Sequence, residues 1–429
     1  MRYEIKKVFG RTGSRIVLAI LAAVLLLNCI FAVNVTYVDR NGDSQSGVAA
    51  ARKLRAEKKE WAGVLDEARI REVIEENLRN WNSPEARSSE LRDNEIAYSR
   101  GQGYSDIRML CCRAFSGDYQ EFDYYLADRL SPEVAGRFDE NRVRLLKNWM
   151  ADESTGAAEM LSLPEQRFLI ARYEALETPL AYDYFGGWSQ LFEYGPVLIV
   201  LLAILLGYLV GGIFSNEFAW RTDAVFFSSL HGRGRAMRAK LAAGVAIVTA
   251  LYWAATLIFS ALVLLALGAD GADCPIQISS GYWKSFYNLS FAQAWGVTLI
   301  GGYIGCLFLA LLAMLISAAS RSTAAAALVP MVLIFVPEFL SDGGGRLLQK
   351  LQDLLPENLL TLPMMLRQFA LYAIGGVDRR LGRSAAGPLR GAVAADAASD
   401  LPKLSQKGAH LNAGGVPGPQ GRGRLRFFG

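Results

Sequence analysis

Apolar residues in this chain follow two patterns. Long, nearly unbroken runs fill residues 16–37, 193–214, 241–268, 292–318 and 323–340. Runs of about 18 or more such residues predict membrane-spanning helices. Elsewhere apolar positions recur at helical spacing. Ile70, Val73, Ile74, Leu78 and Trp81 fall on one face, and Val143, Leu145, Leu146 and Trp149 extend the same style between Phe138 and Met150. Ser131-Pro132-Glu133 predicts an N-cap followed by proline at the first helical position. Long alternating patterns are absent. The predicted architecture is an all-α polytopic membrane protein with five clear transmembrane helices, a truncated sixth, and a mostly helical extracellular domain over 38–190.

The segments around the spans refine this order. Residues 1–15 form a basic interfacial lead, made weakly amphipathic by Tyr3, Ile5, Val8 and Phe9. A cleaved signal peptide is the rival reading of 16–37. The run is longer than a typical signal core and lacks a clear small-x-small site, so we expect an anchor. Tyr182, Tyr184, Phe185 and Trp188 precede the second span and suit the aromatic belt at a membrane interface. Gly207 with Gly211, and Gly301 with Gly305, make two Gly-x-x-x-Gly pairs that permit close helix contact. Pro330 and Pro337 interrupt the fifth span. Residues 341–376 read as an external amphipathic segment and a sixth span that begins near Leu362 and stops. Residues 377–429, rich in Ala, Gly, Arg and Pro, read as disordered. Five spans would leave this basic tail outside, against the usual preference, and we hypothesise that a frameshift replaced a full sixth span.

Charge sets the sidedness. Arg2, Lys6, Lys7, Arg11 and Arg15 oppose only Glu4, which predicts a cytoplasmic N-terminus in a multi-pass cell-membrane protein with 38–190 outside. The net charge is +4 over 429 residues, of which 52% are hydrophobic. The basic residues cluster beside apolar runs, a pattern that fits membrane sidedness better than nucleic-acid binding. The run Arg52, Lys53, Arg55, Lys58, Lys59 could meet anionic headgroups or an acidic ligand. With Glu57 and Glu60 interleaved, a solvated helix face is the preferred reading. Cys111 and Cys112 are adjacent and poorly placed to bridge each other; either could pair with Cys274, though buried or free thiols are expected. Only His231 and His410 are present, so no His-based metal site or Ser/His relay is supported. There is no P-loop, and no catalytic residue, metal or cofactor is expected.

The stretch from Glu217 to Lys240 stands apart. It is too polar for a bilayer, yet Ala224, Val225, Phe226, Phe227 and Leu230 are too apolar for a plain solvated loop. Arg221, Arg233, Arg235, Arg238 and Lys240 outweigh Glu217 and Asp223, which predicts a cytoplasmic position. A short helix here, apolar on one side and basic on the other, could dock on a soluble partner. The alternative is an ordinary loop whose charges only set topology. Glu217 is either a functional carboxylate or, preferably, an anchor paired with Arg221 one turn on.

At this loop the chain resembles bacterial ABC-2-type transporter permeases. The likeness rests on the basic lead, one span, a large external domain, and then Glu217, Thr222, Asp223, Ser228, Ser229, Leu230, Gly232, Arg233 and Lys240. The approach Thr178-Pro179-Leu180-Ala181-Tyr182-Asp183-Tyr184-Phe185-Gly186-Gly187-Trp188 is similar as well, and the likeness runs to about Ile374. The resemblance implies that a separate cytoplasmic ATPase subunit hydrolyses ATP and that two permease halves, copies or paralogues, form the path through the bilayer. It implies that the loop 216–240 is a coupling region in which Asp223, Phe226, Phe227, Leu230, Gly232, Arg233 and Arg235 meet the ATPase, beside the interfacial lead. Few charges fall within the spans, which disfavours an ion-coupled carrier and suggests export of a hydrophobic or amphipathic cargo such as a peptide, antibiotic or lipid. The rival class is a membrane sensor whose helical ectodomain binds a peptide or antibiotic. An intramembrane enzyme finds no motif in any span.

Overall fold

The computed structural model describes residues 1–152, 154, 161, 163–219, 232–320, 322, 325, 326, 328, 331–335, 357–367, 372–374 and 404–406. Among them four helices are long and apolar enough to cross a membrane. These are α2 (Thr12–Ala32), α9 (Gly186–Ala219), α10 (Met237–Leu267) and α11 (Phe291–Ser320). Each of the predicted boundaries moves. The first helix ends at Ala32 because β1 (Thr36–Val38) then pairs antiparallel with β2 (Ser44–Ser46). The second begins seven residues earlier than the apolar run, at Gly186, and takes in Trp188 of the expected belt. Most of the fifth run and residues 341–356 lie outside the described residues. Among the described residues, the short helix α12 (Glu357–Leu360) precedes the sixth apolar stretch, whose start forms the short helix α13 (Leu362–Arg367). Residues 372–374, expected to continue a span, pair as a strand with 404–406.

Helix α9 is the hub, packed most extensively on α11 and also on α10 and α2. In lipid such association depends on close packing rather than on expulsion of water, so small residues mark the contacts. Gly244 of α10 lies so near Met314 of α11 that a Cβ would sit 2.5 Å from its Sδ. Of the glycines expected to serve contact, Gly211 faces Ala326, where a Cβ would stand 3.3 Å away, and Gly301 faces Leu362. Both contacts are within the chain.

A helical domain sits on one end of this bundle. It comprises α3 (Val48–Lys59), α4 (Glu67–Trp81), α5 (Leu91–Gly101), α6 (Ser105–Ala114), α7 (Phe138–Ala151) and α8 (Leu163–Glu174). A small strand pair, β3 (Gly63–Val64) with β4 (Ala181–Tyr182), closes it. The α4 face predicted from spacing is buried at Ile70, Val73 and Ile74, but Trp81 is exposed. Asn77 is buried instead, donating to the Ala127 carbonyl and the Asp128 carboxylate. Ser131 does cap the turn beginning at Pro132, accepting from the Glu133 N–H.

The domain and bundle share one core. Tyr182, Tyr184, Phe185 and Trp188, read from sequence as a membrane-interface belt, are buried. Phe185 stacks on Phe291 at 5.0 Å, and Phe192 meets both Phe291 and Trp295. The Trp188 indole donates to the Ala269 carbonyl. Gly268, with φ +107°, turns the chain out of α10, a conformation that disfavours any other residue. All five cysteines are free and buried, as the sequence led us to expect over a Cys274 bridge.

Candidate functional site

Two ends of the bundle hold candidate machinery. At the end away from the helical domain, α9 and α10 flank the predicted docking loop. Asp223, Phe226, Phe227 and Leu230 lie outside the described residues. Gly232 and Arg233 open a π-helical turn, Gly232–Ala236, that leads into α10, and Arg235 in that turn is exposed. The backbone at Glu217 belongs to the last turns of α9.

Lys240 behaves unlike the sequence expectation of a basic residue opening a span. It is fully buried. Its Nζ donates to the Ile213 carbonyl of α9 at 3.2 Å and lies 5.6 Å from the Phe214 ring. A buried ammonium survives only when its donors are engaged and its charge is met by dipoles or rings. Lys240 therefore ties α10 to α9 at the mouth of the loop. A second tie joins α9 to α11, where the Ser215 N–H donates to the Ser317 hydroxyl at 2.9 Å. The lead forms helix α1 (Arg2–Phe9), which buries Val8, packs on α10 and α9, and leaves Tyr3 exposed. Arg11 then donates to the Gly212 carbonyl at 3.4 Å. The elements bracketing the predicted docking loop are thus held in one frame.

At the other end, the basic run of α3 is solvated only in part: Arg52 and Lys53 are exposed, while its other members are paired. Arg55 and Lys59 converge on Asp270, at 2.6 and 2.7 Å, and Lys58 pairs with Asp106 at 2.8 Å. Burial works to raise the Asp270 carboxyl, but the hydrogen bonds from Arg55 and Lys59 override it and hold the group below its ordinary value. These charges orient the domain on the loop following α10, because Asp270 comes from that loop and its partners from α3.

Two guanidiniums, a partly buried one at Arg108 and a buried one at Arg142, went unmarked in the sequence. Arg108 is neutralised by Asp128 at 2.8 and 3.0 Å and also reaches Asn77. Arg142 is buried and has no carboxylate within ion-pair distance among the described residues. A signal existed for the second, since Arg142 lies four residues after Phe138 and three before Leu145, on the face of α7 that turns inward. A cation on an apolar stripe is the informative departure from pattern.

No group of three or more His, Cys, Asp or Glu residues suited to a metal occurs among the described residues. No family model, curated protein or solved structure matches the chain.

Proposed function

We propose that the chain is the membrane-spanning subunit of an ATP-binding cassette exporter of the ABC-2 type, working at the cell membrane with a separate ATPase subunit and a second permease copy or paralogue. In this reading the N-terminus is cytoplasmic, the helical domain is extracellular, and the cargo is hydrophobic or amphipathic. The observation that carries the proposal is the frame around the central loop. Lys240, Ser215 and Arg11 join α10, α11 and the start of α2 to α9 at its base. A force applied to the loop would be delivered to three spans together rather than absorbed at a flexible stem. Such a linkage is what a transporter powered from outside the bilayer needs. Phe226, Phe227 and Leu230 serve as apolar anchors in a groove of the ATPase, while Arg233 and Arg235 steer and orient at the rim.

The test is co-purification of the tagged full chain from mild-detergent membranes, with mass spectrometry and an ATPase assay. A stoichiometric nucleotide-binding subunit is expected. The double variant Phe227→Asp, Leu230→Asp should lose it while still inserting into the membrane. Undiminished recovery of the ATPase with that variant would remove the coupling assignment, and absence of any ATPase with the wild type would move the sensor reading to first place.

A further inference from the structure

Arg142 is a charge that the fold buries without a direct ion pair, Asp139 on the preceding turn acting on it only from a distance. It is 4% exposed, its Nε has no hydrogen-bond partner, and no carboxylate among the described residues lies within ion-pair distance. Its guanidinium lies over the indole of Trp283, whose ring centre is 3.9 Å away. Burial lowers the guanidinium to about 10, which still leaves it protonated at neutral pH. Arg108, on α6 of the same domain, is by contrast paired directly with Asp128.

Arg142 also lines an open cleft of about 520 Å³ along α7 and the end of α8. Clefts of this size accept small ligands. One wall is fixed, because Tyr173 accepts from Tyr119 at 2.6 Å and donates to the Lys284 carbonyl. The other cations of the cleft are exposed rather than dry: Lys147 pairs with Glu174 and Arg144 donates to the Asn141 amide oxygen, each at 2.8 Å. Its acids are not all engaged. Asp139 and Glu140 have no cation within ion-pair distance among the described residues. Asp139 lies one helical turn before Arg142, and burial raises its carboxyl above the ordinary value. The cleft therefore offers a dry guanidinium with open donors and, beside it, two available carboxylates.

We propose that this cleft binds the free carboxyl end of a short peptide or an amino acid, with the ligand carboxylate on Arg142 and its cationic group toward Asp139 and Glu140. A guanidinium presents two parallel N–H donors that match a carboxylate, so this pair gains both charge neutralisation and geometry. The neighbouring acids disfavour a multiply charged anion such as phosphate. The assignment is independent of the transport reading, since it concerns the helical domain alone.

The experiment is a thermal-shift titration of the purified full chain in detergent. The probes are random tripeptides with free C-termini, the same tripeptides amidated, and inorganic phosphate, all at millimolar concentration. Only the free-carboxyl tripeptides should raise the melting temperature, with a saturating dependence on concentration. The Arg142→Met variant should melt no lower than wild type without peptide, because an unpaired buried charge has gone, and should lose the shift. Arg142→Lys keeps the charge without the paired donors and should weaken binding at least tenfold; it carries the test if the Met variant does not fold. An equal shift with amidated peptide or with phosphate, no shift with any probe, a shift that survives in both variants, or a Met variant that folds but melts well below wild type would each overturn the proposal.

Discussion

Adding one methyl group at Gly302 tests the packing of the bundle. A Cβ there would lie 2.6 Å from the Tyr252 hydroxyl of α10 and 2.9 and 3.0 Å from two side-chain carbons of Ile199 in α9. Ordinary contact needs about 3.5 Å or more. Neither neighbour can yield freely. Tyr252 is fully buried, donates to the Leu299 carbonyl at 2.8 Å, and packs edge-on to Trp253 and against Tyr303. Overpacking of this kind costs about 1–3 kcal/mol. If the tyrosine moves off its carbonyl, about 1 kcal/mol more is lost. Alanine also favours helix over glycine by about 1 kcal/mol, which would mask part of the effect. The internal control is Gly296, in the same helix, where a Cβ would meet nothing within 4 Å. The propensity gain then cancels, and Gly302→Ala should be less stable than Gly296→Ala by roughly 2–3 kcal/mol. Unfolding in mixed micelles with a denaturing detergent measures the difference. Adding Tyr252→Phe to Gly302→Ala should recover part of the loss, since the two sites touch. Equal stability of the two alanine variants would refute the three-helix contact at Gly302.

Lys284 gives a pH prediction. Burial, aided by Arg113, lowers it to about 8. The folded state thus releases this proton before the unfolded chain does, so its contribution to stability rises from about pH 8 toward the ordinary lysine value near 10.4, by up to about 3 kcal/mol. Buried thiols such as Cys274, raised to about 11 by burial, pull the other way in that window. The readout is therefore wild-type stability minus that of Lys284→Met, which should climb from pH 8 to 9.5; a flat difference would refute it. Asp270→Asn should loosen the domain from the loop after α10 by about 1–2 kcal/mol, a modest figure because Arg55 and Lys59 are each more than one-third exposed. The wild-type advantage should hold above the ordinary carboxylate value and vanish as pH falls through the lowered Asp270 value, followed by tryptophan fluorescence.

Four of the long apolar helices, the helical character of the intervening domain and the Ser131 cap were legible in the sequence, whereas the five-span count was not reached among the described residues. Each legible feature depends on local information, either a long apolar run or a short-range periodicity that survives whatever the rest of the chain does. What the sequence could not determine was how polar and aromatic residues are shared between elements far apart in the chain. Lys240 reads as an interfacial cation until α9 supplies the Ile213 carbonyl that lets it be buried. The aromatics before α9 read as a belt until α11 brings Phe291 against them. The basic run of α3 reads as a solvated face until Asp270, about two hundred residues on, gathers Arg55 and Lys59. Arg142 reads as one charge among many until α7 turns it inward beside Trp283. Only the tertiary structure decides such cases, because the cost of burying a polar group depends on a partner that lies elsewhere in the chain.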